Sequence, residues 1–163
     1  MMPILLTQET AEVSPVFLIV FVLAIIGVTF LVMKKSSDSA TATIKKRYEG
    51  KILGEFKFNI STAFITEDEF VIQMNQNCFI TYPLANIGYV RAYRDGVDRS
   101  WFFVVYDKDK KYKGLDGKMI SGPKNTRPYK SAPRTMMKPE EANRLCEFVM
   151  AHAPHVQMWE KEK

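Results

Sequence analysis

The stretch VFLIVFVLAIIGVTFLVM, Val16 to Met33, decides how this chain is organised. It runs for 18 residues without a charge, and at 1.5 Å per residue that crosses most of a roughly 30 Å hydrocarbon layer. Fourteen of its residues are Val, Ile, Leu or Phe. At about −0.3 to −0.6 kcal/mol each they favour insertion by roughly 4 to 8 kcal/mol. A cleavable signal peptide has a basic start, an apolar run of roughly 7 to 15 residues and a small-residue cleavage site. Here no Lys or Arg precedes Val16, and the run ends on Met33, Lys34 and Lys35. The expectation is an anchor, a transmembrane helix over 16–33.

The flanks set its direction. On the N-terminal side, residues 1–15 carry only Glu9 and Glu12, whereas Lys34, Lys35, Lys45, Lys46 and Arg47 follow the span. The positive-inside rule then predicts a single-pass topology with a short extracytoplasmic N-terminus, Lys34 and Lys35 as juxtamembrane anchors and the rest of the chain in the cytoplasm. Gly27 has no G-x-x-x-G partner, so no dedicated helix dimer is indicated. All 23 Lys and Arg lie after the span, against 16 of the 18 carboxylates, a net +7 for that part. Such a surface is drawn to anionic partners. Cys78 and Cys146 stand apart with no C-x-x-C, which fits two buried thiols in a reducing compartment.

KKSSDSATATIKK, Lys34 to Lys46, is polar and small and reads as a flexible tether with a reach of about 20 Å. Residues 47–163 are enough for one core and not for two. Their first half alternates with period two: Phe56, Phe58 and Ile60, then Phe70, Ile72 and Met74, which predicts strands with one wet face. Glu67, Asp68 and Glu69 mark a tight antiparallel hairpin. CFITYP and NIGYVRAY continue the series, split by Pro83, which cannot donate to a ladder. RDGVDRS is a turn, and WFFVVY, Trp101 to Tyr106, is apolar on both faces and reads as the most buried strand.

The alternation then stops. Residues 108–138 are punctuated by Gly and Pro and hold Lys108, Lys110, Lys111, Lys113, Lys118, Lys124, Arg127, Lys130, Arg134 and Lys138. The expectation is a long basic loop with one short strand near Met119 and Ile120, a candidate contact for membrane or partner. Four of those cations on an anionic leaflet would supply roughly 4 kcal/mol. A helix follows over 139–153, with Pro139 in its first turn, Glu140 and Glu141 complementing the dipole, and Ala142, Leu145, Cys146 and Val149 as its apolar stripe before Pro154.

Catalytic and metal motifs do not emerge. The two histidines, His152 and His155, have no neighbouring ligand motif, and there is no G-x-S-x-G, H-E-x-x-H or EF-hand pattern. The GLDGK segment at Gly114 to Lys118 lacks phosphate-loop spacing and reads as a turn. Asn59, Ile60 and Ser61 form a glycosylation sequon that a cytoplasmic domain would not use. No enzyme activity, metal or cofactor is expected, and no nucleic acid.

Several antiparallel strands followed by one C-terminal amphipathic helix resemble the pleckstrin-homology-like superfold. FITEDEFVIQ (Phe64 to Gln73) followed by ITYPLANIGYVRAY (Ile80 to Tyr93) is similar to the hairpin and the Pro-Leu-x-x-Ile segment of bacterial PH and GRAM-type domains. The resemblance covers roughly Arg47 to Tyr106 plus the helix. It implies a small, partly open antiparallel barrel plugged by that helix, serving as a lipid- or protein-binding module. Two departures stand: the basic loop replaces a clear seventh strand, and the first strand and loop show no dense Lys/Arg motif for an inositol lipid. The expected fold class is therefore an N-terminal transmembrane helix plus a mainly-β domain with a C-terminal helix. The expected role is a non-catalytic accessory or scaffolding subunit of a larger membrane complex. The alternative is an anionic-lipid-sensing module at the membrane surface.

Overall fold

The computed structural model describes residues 14–58, 61–97, 99–110, 115–121, 125–129 and 134–159. They fall into two units, one ending at Met33 and one starting at Lys34. The helix α1, Pro15–Arg47, contributes to both. In the first unit its large apolar side chains from Val16 to Val32 are each 50% exposed or more, so no protein core covers them. Thr29, a polar exception, donates its hydroxyl to the Ile25 carbonyl at 2.8 Å and so satisfies itself inside the helix. This helix is long and apolar enough to cross a membrane. Of the expected extracytoplasmic segment, residues 1–13 lie outside the described residues.

Residues 34–46, expected as a flexible tether, are helical. The composition hides the reason. Ser37, Ala40, Ile44 and Tyr48 recur at helical spacing, and this narrow stripe is buried or half-buried, Ile44 completely. Lys45, Lys46 and Arg47 in the last turn suit the dipole, and Gly50, with φ at +74°, takes the left-handed conformation that lets the chain leave the helix.

The strands follow as β1 (Ile52–Phe58), β2 (Ser61–Thr66), β3 (Glu69–Asn75), β4 (Cys78–Pro83), β5 (Tyr89–Arg94), β6 (Trp101–Tyr106), β7 (Gly117–Ser121), β8 (Asn125–Tyr129) and β9 (Arg134–Met137). The helix α2 (Pro139–His152) and the two-residue β10 (Gln157–Met158) complete the chain. Two sheets result, a larger one in the order β1-β2-β3-β4-β7-β8 and a smaller one in the order β10-β5-β6-β9. Neither closes. Every pairing is antiparallel except that of β10 with β5. The expected hairpin forms with Thr66 bracketing the turn, its hydroxyl accepting from the Glu69 amide at 3.0 Å. Pro83 ends β4 and leads into a 3-10 turn over Leu84–Asn86.

The main core lies between the sheets and is filled by α2, which packs on β5, β6 and β1. Ala142, Leu145, Cys146 and Val149 all point into it. Gly54 marks the crossing of α2 over β1: a Cβ there would meet the His152 ring at 2.7 Å. A second apolar layer sits on the outer face of the larger sheet, where Phe64, Val71, Phe79 and Ile120 receive Ile44 and Tyr48. This corrects the expectation of one wet face for residues 70–74. Val71 and Gln73 are fully buried, and Gln73 Nε2 donates to Ser37 Oγ at 2.8 Å and to the Gln76 carbonyl at 3.0 Å. The β6 strand is buried from Phe102 to Tyr106, as its sequence predicts.

The basic stretch 108–138 is not one long loop. The short strand foreseen near Met119 and Ile120 is β7, and β8 and β9 accompany it. The β7–β8 hairpin extends the larger sheet, while β9 joins β6 in the smaller one.

Candidate functional site

Strand alternation sorts β5 and β6 into two faces. Val90, Ala92, Phe103 and Val105 join the main core. Tyr89, Tyr93, Phe102, Val104 and Tyr106 form a separate cluster on the outer face of the smaller sheet, together with Trp159. Register makes that cluster continuous: Tyr89 lies opposite Tyr106, Arg91 opposite Val104 and Tyr93 opposite Phe102. On the far side, β9 sets Arg134 opposite Val104 and Met136 opposite Phe102. Trp159 reaches the face because its amide donates to the Val90 carbonyl at 2.8 Å, and its ring meets Tyr106 edge-on with centroids 4.3 Å apart.

Among the described residues three cations lie over these rings. The Lys110 ammonium is 5.2 Å from the Tyr89 centroid and 6.0 Å from that of Trp159. The Arg91 guanidinium stands 5.4 Å from Trp159 and 5.1 Å from Tyr93. Arg134 stands 5.8 Å from Tyr93 and 4.2 Å from Phe102. Each such contact is worth about 0.5–1 kcal/mol where exposed and about 2 kcal/mol where desolvated. The face is thus a ladder of alternating rings and charges, and among the described residues the carboxylate paired on it is Asp95, which binds Arg134. Met136, 68% exposed, adds an uncovered apolar side chain to its edge.

Of the ten basic residues proposed from the sequence six are described, and two of these, Lys110 and Arg134, meet on this face. Lys108 is exposed in the turn after β6. Lys118 and Arg127 are exposed on the β7–β8 hairpin of the other sheet, where Arg127 Nε lies 3.1 Å from Met119 sulfur. Lys138 precedes α2, its amide donating to the Glu141 carboxylate at 3.0 Å. Lys111, Lys113, Lys124 and Lys130 lie outside the described residues. Of the juxtamembrane pair, Lys34 and Lys35 are exposed in α1.

Sequence reading missed Tyr89, Arg91, Tyr93, Phe102 and Trp159. The signal was present in YVRAY, where Tyr, Arg and Tyr recur with period two beside an apolar Val and Ala. Trp159 carried none, because its position depends on the parallel pairing of β10.

Other chemistry-bearing side chains serve the fold. His152 Nδ1 donates to the Phe148 carbonyl and His155 Nε2 to the Leu84 carbonyl, each at 2.9 Å. Cys78 and Cys146 are buried thiols not joined in a disulfide. Among the described residues no three His, Cys, Asp or Glu side chains are grouped to hold a metal.

Fold and face together define a helix able to cross a membrane joined to a mainly-β domain with a cation–aromatic surface. No family model matches the chain, and no curated protein or solved structure matches it.

Proposed function

We propose that this chain is a non-catalytic, single-pass membrane protein, an accessory subunit whose cytoplasmic β domain docks on an acidic surface of another subunit through the cation–aromatic face. The observation behind this reading is the unequal treatment of the two outer faces. That of the larger sheet is covered by α1, whereas on the smaller sheet the buried Phe102, Val104 and Tyr106 are flanked by half-buried Tyr89, Arg91, Tyr93 and Trp159, with Lys110, Arg134 and Met136 exposed. Trp, Tyr and Arg are the residues that dominate binding energy at protein interfaces. A net +7 beyond the span favours an acidic partner and speeds encounter with it. The cytoplasmic side rests on the cations that follow Met33.

The pleckstrin-homology-like reading is supported by the chain order of four antiparallel strands, a second sheet and a helix between the two. On that reading the β7–β8 hairpin is an insertion.

The test is extraction of the full-length protein from its native membrane in a mild detergent. The wild type is expected to bring a stoichiometric set of membrane proteins, and Arg91→Glu with Lys110→Glu to lose them at least tenfold, since like charges facing each other cost several kcal/mol. A set unchanged in the double variant would contradict the reading. A second reading places the same face on an anionic leaflet, because aromatic and basic side chains both favour the membrane interface. A lone protein carrying acidic phospholipid would select it.

A further inference from the structure

A hollow of about 260 Å³ lies between the C-terminal turns of α1 and the β1–β2 hairpin, away from the cation–aromatic face. Lys34, Lys45 and Lys57 line it together with Thr41, Ser61 and Thr62. Asp38 is the carboxylate in its lining, and Glu55 stands beside it, binding Lys45 at 2.6 Å and Lys57 at 3.4 Å. Glu55 thus engages two of the lysines and Asp38 leaves a positive balance. The volume is below the roughly 300–1,000 Å³ of sites that take drug-sized molecules, so the hollow suits a small anionic group. Lysine and hydroxyl-bearing side chains brought together from two elements are the residue types that hold a phosphate ester.

Lys34 follows Met33, where the apolar run ends. A residue at that point of a spanning chain meets the headgroup layer, so the phosphate ester within its reach is that of a lipid. We infer that this hollow binds the headgroup of an acidic phospholipid. The inference rests on the reading of 16–33 as a membrane span and is independent of the docking face.

The experiment uses the full chain in bilayer nanodiscs of phosphatidylcholine containing a small fraction of phosphatidylglycerol, with the lipid retained on release into detergent measured by native mass spectrometry. Phosphatidylglycerol is expected to be retained in preference to phosphatidylcholine. Lys57, 71% exposed, can be changed without disturbing the core. Lys57→Gln should reduce retention about fivefold, the equivalent of about 1 kcal/mol for one lysine near an anionic lipid. Lys57→Arg should keep it, and Lys118→Gln, on the distant β7, should leave it unchanged. Equal retention of the two lipids, or no effect of Lys57→Gln, overturns the site. Displacement of the lipid by soluble glycerol phosphate at comparable concentration overturns the lipid as its source. A protein that fails to enter nanodiscs at all sinks the membrane span, and this inference with it, whereas entry without selectivity sinks only the inference.

Discussion

Tyr48 closes the docked end of α1, its hydroxyl donating to Glu69 Oε2 at 2.8 Å. Burial first, then the Glu69 carboxylate, pushes its pKa from 10.0 to about 12. Burial also pushes the Cys146 thiol from 9.0 to about 12, helped by the charge of Glu147. Both values are raised in the folded protein, so the stabilisation they carry is whole below the unfolded values and is lost as pH rises through roughly 9 to 12. Denaturant stability should therefore fall across that window. Tyr48→Phe should cost about 1–2 kcal/mol at pH 8 through the lost hydrogen bond, and the two proteins should converge as pH approaches 12. An alkaline slope identical in both would remove Tyr48 from the account. The burial of Cys146 was legible in the spacing Ala142, Leu145, Cys146, Val149. The role of Tyr48 was not, because Glu69 lies 21 positions away and only the β2–β3 hairpin brings it near.

Among the elements, α1 changes the picture most. Ser and Thr are weak helix formers, so KKSSDSATATIKK reads as linker until the stripe Ser37, Ala40, Ile44, Tyr48 is seen against a sheet that needs covering. Packing overrides propensity there. If that docking stabilises the domain, Ile44→Ala should destabilise it by about 2–5 kcal/mol, while Lys46→Gln, exposed on the same helix, stays within about 0.5 kcal/mol of the wild type. Equal stability of the two variants, by urea titration, would restore the flexible tether. The strands β1 to β6 were legible because alternation and turn residues agree. Those of the basic stretch were not, and Pro128 shows why. It lies within β8, which among the described residues pairs with β7 alone, and proline is tolerated on an edge where its missing N–H faces no neighbour. The same residue read in sequence argues for a loop.

At the scale of the whole molecule, the cations follow the apolar run and the two sheets bury their outer faces by different means. The larger sheet uses its own helix. The smaller one uses a cation–aromatic ladder assembled from β5, β6, the turn at Lys110, β9 and Trp159, a surface no single segment announces. Composition signalled only a basic surface of the kind drawn to anionic partners, and it pointed to the basic stretch as a unit, whereas folding sends its described residues to both sheets. The central claim is that this ladder meets an acidic protein surface. The most direct measurement is photo-crosslinking of the full-length protein in its native membrane, with a photoreactive amino acid in place of Met136. The account predicts one protein adduct, mapped by mass spectrometry to an acidic surface, that disappears with Arg91→Glu and Lys110→Glu. Adducts to lipid alone, or a protein adduct indifferent to those charges, would contradict it.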